Sequence, residues 1–379
     1  MRHELLKTTA IRPIHHSDPQ GGQRPSKYRQ LAQYTKTFLP AIASFAVAAA
    51  LLGQIIPSPA IPSNVFFISP KYDYYQAHKH EYDTLFFGSS RVHNQIIPEV
   101  FDSTSRQAGI AVNSYNFGVP AMRAIDSTVL IKEVLKDPPK NLKWVFFETT
   151  LDKGYEPIFN ARTYRSMYWH TWENTGFAAR YILSSEVSAA SKAALLVSHC
   201  LPALYRQMNV GRLFSQTLSS EFSAEEQAEA AVFTRNEGYA PLIDENSPYR
   251  QDFLQHQDEY KAAVAELTAI ASTPMPNTAI AENKRMLLAE VTRVIRTAGA
   301  KPIFIEPPSL EPEQDFRAAW QQGEIETLLA YKDPERFPQL YRVDQRFDAG
   351  HLNGEAAQVF SQLLAQDFVK TLTLSQSNP

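Results

Sequence analysis

Short apolar runs closed by turn residues recur along the chain, with helix-spaced segments between them. Residues 84–87 (TLFF) predict a buried strand stopped by Gly88-Ser89-Ser90-Arg91. A second strand is expected over 112–117, ended by Gly118 and Pro120, and a third over 143–148 (KWVFFE). A fourth falls at 302–305 (PIFI), closed by Pro307-Pro308. Runs of this length, rich in aromatic and β-branched residues and bounded by Gly or Pro, read as strands covered on both faces. The intervening pattern changes period. In 121–136, Ile125 and Val129 stand four apart and Asp137-Pro138-Pro139 ends the helix. In 283–297, Met286, Leu287, Val291 and Ile295 share one side and Gly299 follows. A last helix is expected over about 354–372. Strands alternating with helices predict an α/β fold, a three-layer sandwich around a parallel sheet of the flavodoxin-like kind, with ligands at the carboxyl ends of the strands.

Residues 151–282 leave that rhythm. They are rich in Ala, Ser, Glu and aromatic residues, with helical stretches near 176–198, 223–233 and 252–272, and predict a mostly helical insertion or cap over the sheet edge. The α/β body is therefore assigned to 84–150 and 283–372, and 57–83, which opens with the proline-rich PSPAIPS, to a spacer and lead-in.

Charge changes the picture at the N-terminus. Residues 1–36 carry seven Lys or Arg against Glu4 and Asp18, although the whole chain of 379 residues has a net charge of −3. Residues 38–56 (FLPAIASFAVAAALLGQII) follow without a charge. Nineteen helical residues at about 1.5 Å each reach roughly 28 Å, enough for the hydrocarbon core of a bilayer. The expectation is a basic cytoplasmic leader, 1–36, one transmembrane helix, 37–56, and an exported body. A cleaved leader is the alternative, with small residues at 46–50 and at Ser58-Pro59-Ala60 as cleavage sites. The acidic balance of the rest argues against a nucleic-acid partner. A lone cysteine, Cys200, excludes an intramolecular disulfide and a cysteine-based zinc site. The pairs His78/His80 and His15/His16 lack further ligands, so no metal and no organic cofactor is expected.

Two segments carry candidate chemistry. Ser90 follows Gly88 and Ser89 at the end of the first predicted strand, where a hydroxyl faces the carboxyl edge of a sheet and its own amide can meet an oxyanion. Asp348-Ala349-Gly350-His351 stands just before the last predicted helix. A carboxylate three residues from a histidine can fix one ring nitrogen and leave the other as a general base. The plainer alternative makes Ser90 a turn serine and Asp348 or Asn353 a helix cap.

Gly88-Ser89-Ser90, Asn116-Phe117-Gly118 and Asp348-x-x-His351 together resemble the first, second and last blocks of the SGNH (GDSL-type) hydrolase superfamily. The basic, apolar N-terminus places the likeness nearest the membrane-anchored branch that includes alginate-acetylation and teichoic-acid D-alanine transfer proteins. The resemblance implies a catalytic Ser90, His351 and Asp348, with the amides of Ser90 and Gly118 as the oxyanion hole. It implies a serine esterase or O-acyltransferase at the outer face of a bacterial inner membrane. Its partners would be an envelope polysaccharide, an acyl donor and a membrane-bound acyltransferase. The third block, Gly-x-Asn-Asp, is not matched: its place reads Phe147-Glu148-Thr149-Thr150, and an ionised Glu148 cannot donate a hydrogen bond. Thr149, Thr150 or a residue of the insertion must then replace the Asn, or the hole has two donors. The loss of that donor also admits another class, a non-catalytic polysaccharide-binding or scaffold protein. Arg91 and, within the aromatic stretch 162–172, Arg165 and His170 are expected substrate contacts, since arginines suit carboxylates and aromatic faces suit sugar rings.

Overall fold

The strands form where apolar side chains point both ways, because each needs a helix layer on either side of the sheet. This is visible in a computed structural model, which describes residues 65–149, 164–208, 222–272, 280–311 and 315–377, with Ile61 and scattered positions from 36 to 51. The chain divides into two compact units, Met1–Leu51 and Leu52–Pro379. In the first, Pro40, Ala41, Ala43, Ser44, Phe45, Val47, Ala48 and Leu51 are helical and exposed. Lys36 is likewise helical and exposed, and the other residues of the leader and of the expected membrane span lie outside the described residues. Among the described residues, no helix is long and apolar enough to cross a membrane.

In the second unit a parallel sheet of five strands is formed by β1 (Thr84–Gly88), β2 (Ser114–Gly118), β3 (Trp144–Glu148), β4 (Lys301–Glu306) and β5 (Leu328–Ala330), in the spatial order β2-β1-β3-β4-β5. Gly88 pairs with Gly118, so β1 and β2 end level. Alternate residues serve opposite faces. Leu85, Phe87, Tyr115, Phe117, Val145 and Phe147 join one apolar cluster with α1 (Ser69–His78), α4 (Ala124–Val134) and α11 (Glu282–Thr297). Phe86, Phe146, Ile303 and Ile305 join another with α2 (Ser90–Gln95), α3 (Pro98–Gln107), α10 (Gln257–Ala271) and α13 (Gly354–Ser377). The chain leaves β1 for β2 on one side and returns to β3 on the other. In such doubly wound sheets the crevice at this switch point, at the strands' carboxyl ends, takes ligands.

Three differences from the sequence reading have physical causes. β5 is only three residues long and carries too little pattern to stand out. The β1–β2 connection holds α2 and α3, whose interior Asn, Gln, Asp and Ser dilute the apolar spacing. Residues 65–83 are part of the core, since Tyr75 and Tyr82 are buried against Tyr115.

In the insertion, α5 (Tyr164–Trp169), α6 (Trp172–Leu183) and α7 (Ala189–Met208) precede α8 (Ala224–Arg235), α9 (Pro248–Gln255) and α10. The turn after α8 reaches the sheet: Asn116 N donates to Glu237 O at 2.9 Å, and Ala240 N to His93 O at 3.1 Å. It thus occupies one backbone group of the edge strand β2 and one of α2.

Candidate active site

The turn after β1 is set by capping. Ser89 is the N-cap of α2, its Oγ accepting from Arg91 N at 3.2 Å, and Ser90 is the first helical residue. An amide at that position has no partner within its own helix. Asn116 on β2 holds the helix from below. Its Nδ2 donates to Val92 O (2.7 Å) and Ile96 O (2.8 Å), and its Oδ1 accepts from Gly118 N at 2.7 Å.

The second half of the site is the loop before α13. Arg346, fully buried between the rings of Tyr260 and Tyr341, donates from Nη2 to Ala349 O at 2.9 Å. Arg250 donates to the carbonyls of Arg346 (2.9 Å) and Phe347 (3.1 Å). Asn353 caps α13 by accepting from Ala356 N at 2.9 Å, which leaves Asp348 free for the loop. Asp348 Oδ1 accepts from the amides of Gly350 (2.7 Å) and His351 (2.8 Å), and both its oxygens lie near His351 Nδ1, at 2.9 and 3.0 Å. Burial alone would raise this carboxyl. The bonds from the His351 ring and the two amides outweigh it and hold Asp348 below its ordinary value.

The two halves meet. Ser90 Oγ lies 2.7 Å from His351 Nε2, across 261 positions of sequence. With Nδ1–H donating to Asp348, Nε2 is the acceptor for the Ser90 hydroxyl. The resulting hydroxyl–imidazole–carboxylate chain is partly exposed and can activate the oxygen for attack on a carbonyl.

The surroundings of this chain differ from the expectations in three places. The Gly118 amide is taken by Asn116 Oδ1, so it is not an open oxyanion donor. Glycine is needed there for another reason: a Cβ would come within 2.2 Å of His93 N. Thr149 is also occupied, since its N and Oγ1 both donate to Ile305 O, and Thr150 lies outside the described residues. His170 is buried rather than lining a cleft. Its Nδ1 is 2.6 Å from Ser166 O, its Nε2 3.1 Å from His199 Nδ1, and its ring stacks on Trp169. That burial pushes its pKa down to about 3.

Arg165 stays near the β2 loop, with Nη2 3.7 Å from Met122 Sδ. Arg91 is anchored by carboxylates on two of its nitrogens: Nε donates to Glu148 Oε1 at 2.9 Å and Nη1 lies 3.4 Å from Glu311. One feature of the loop escaped the sequence reading. Val119–Met122 forms a turn with Pro120 at its second position and Ala121 at φ +55° in the third, where glycine is usual. Ala121 is exposed, and its amide has no partner among the described residues. The Pro120-Ala121 pair was the signal available in sequence. No family model matches the chain, and no curated protein matches it at a significant level.

Proposed function

We propose that the protein is a membrane-anchored serine esterase or O-acyltransferase of the SGNH type, acting on acyl esters of an envelope polysaccharide. The observation that carries this reading is the Ser90–His351–Asp348 chain at the carboxyl edge of β1. His351 Nε2 takes the hydroxyl proton as Ser90 Oγ attacks the acyl carbonyl, and Asp348 stabilises the imidazolium. The oxyanion is met by the Ser90 amide and, in place of Gly118, by the Ala121 amide of the β2 loop. The imidazolium then protonates the departing oxygen, the ester bond breaks and acyl-Ser90 remains. A water or sugar hydroxyl, deprotonated by His351, takes the acyl group and restores Ser90. The acyl donor and a membrane-bound acyltransferase are the proposed partners, at the outer face of the inner membrane.

The test uses full-length protein in detergent with p-nitrophenyl acetate. Ser90→Ala and His351→Ala are each expected to lower turnover roughly 1000-fold or more. A fluorophosphonate should label Ser90 alone. Labelling at Ser89 or nowhere would break the assignment of Ser90 as nucleophile, and turnover indifferent to Ser90 would favour the second reading, a non-catalytic polysaccharide-binding or scaffold protein. What favours that reading is that Gly118 and Thr149 are both occupied.

A further inference from the structure

An ion pair occupies the place where a neutral amide donor was expected at the end of β3. Glu148 is 1% exposed, and the hydrogen bonds of its carboxylate run to the turn that carries Ser90. Oε2 accepts from Ser89 N at 2.5 Å, and Oε1 accepts from Ser89 Oγ at 3.0 Å and Arg91 Nε at 2.9 Å. The carboxylate can donate nothing to a reacting carbonyl, but it fixes a group that can. The Arg91 side chain is 15% exposed, and Nη2 has no partner among the described residues. Burial opposes the charge on Arg91, yet Glu148 and Glu311 outweigh it and keep the guanidinium protonated. Arg91 directly follows Ser90 on α2, and Glu148 ties its guanidinium to the amide and hydroxyl of Ser89, so the guanidinium lies beside the turn that carries Ser90.

We propose that Arg91 is a further catalytic residue, its Nη2–H donating to the oxyanion formed at Ser90, and that Glu148 is the positioning residue that holds it there. The proposal rests on the acyl-serine reading above. It gives a role to a carboxylate at a position where it cannot itself stabilise an anion. An N–H borne on a cation makes a stronger bond to an oxyanion than a neutral amide does. Arg91 keeps its proton throughout, and when the tetrahedral intermediate collapses the departing oxygen is protonated by His351 as before.

The simpler role for Arg91 is to neutralise buried Glu148, and the experiment separates the two. Removing Arg91 alone would leave an unpaired buried carboxylate and could unfold the turn. The informative variant is therefore Arg91→Met with Glu148→Met, which removes both charges together without adding an amide donor, with Arg91→Lys beside it. Full-length proteins in detergent are assayed with p-nitrophenyl acetate, and active sites are counted from the end-point of fluorophosphonate labelling at Ser90. The double variant is expected to label to completion yet lose about 100-fold in kcat with little change in KM, as for loss of one oxyanion donor. Added guanidinium chloride at sub-denaturing concentration should restore part of that loss. Wild-type kcat in the double variant would overturn the proposal and leave Arg91 as a counter-ion. If the double variant does not fold, Arg91→Lys decides: it keeps the charge and loses the planar fork, so unchanged kcat overturns the proposal and a large fall upholds it. Failure of the acyl-serine reading looks different, because turnover in the parent protein would then not depend on Ser90.

Discussion

Asp102 is a carboxyl group that the fold keeps from ionising readily. It lies buried on α3, its Oδ2 accepting from Ser114 N at 2.9 Å while Oδ1 has no partner among the described residues. Burial pushes its pKa up to about 7. A carboxyl in the unfolded chain ionises near pH 4, so between roughly pH 4 and 7 the folded state holds a proton that the unfolded state has lost. The Asp102 contribution to stability is therefore full below that window and falls as pH rises through it, by at most about 1.4 kcal/mol per pH unit. Asp102→Asn keeps the acceptor for Ser114 and removes the titration. Urea unfolding from pH 4 to 8 should show wild type losing stability relative to the variant as pH rises. Parallel curves would show that Asp102 ionises normally. At this scale the sequence is informative where chemistry is local. Asp348 and His351 are three apart and their contact follows from that spacing, whereas Arg91 and Glu148 are 57 apart and meet only because β1 and β3 are neighbours. His170 misled for a related reason: an aromatic, basic stretch reads alike whether it lines a cleft or fills a core.

At the scale of elements, the turn after α8 joins the insertion to the sheet. Gly238 has φ +91°, and a Cβ there would come within 2.0 Å of Asn116 O, a backbone atom that cannot easily give way. Asn116 holds α2 through Val92 and Ile96, so displacement at 238 passes to the helix that begins with Ser90. Gly238→Ala is expected to cost about 2–3 kcal/mol, from left-handed strain together with the clash. It should also expose the chain near 222–240 to protease. Wild-type stability in urea would mean that the turn is not tied to β2. The four longer strands and the helices over 283–297 and 354–372 were legible because apolar period and turn residues agree there. The helices of the insertion were legible in number less than in place: 176–198 contains the break at 184–188, and 252–272 the break at His256. At the first break Ser184 and Ser185 bond back to Tyr181 and Ile182 and Ser188 accepts from Ser191 N, local contacts that apolar periodicity does not carry.

For the whole molecule, the placement of charge and apolar residues separates a leader from a body. The body has its own core on both faces of the sheet, and the boundary between compact units falls at Leu51–Leu52. The proposed chemistry needs nothing from the first 56 residues, whereas the proposed placement at the outer face of a membrane requires the basic leader and the apolar stretch 38–56 to act as an anchor. These two requirements can be tested apart. Full-length protein expressed in bacteria should stay in the membrane pellet after an alkaline carbonate wash, and a chain beginning at residue 57 should not. A tag at the C-terminus should be cut by protease added to spheroplasts while one at the N-terminus is protected. Turnover of p-nitrophenyl acetate per labelled Ser90 should be the same for both chains, because the Ser90–His351 contact lies wholly within the body. Full-length protein washed off by carbonate would remove the anchor from the reading, and a protected C-terminus would reverse the orientation. Neither result would touch the hydroxyl–imidazole contact, which stands on the turn after β1 and the loop before α13.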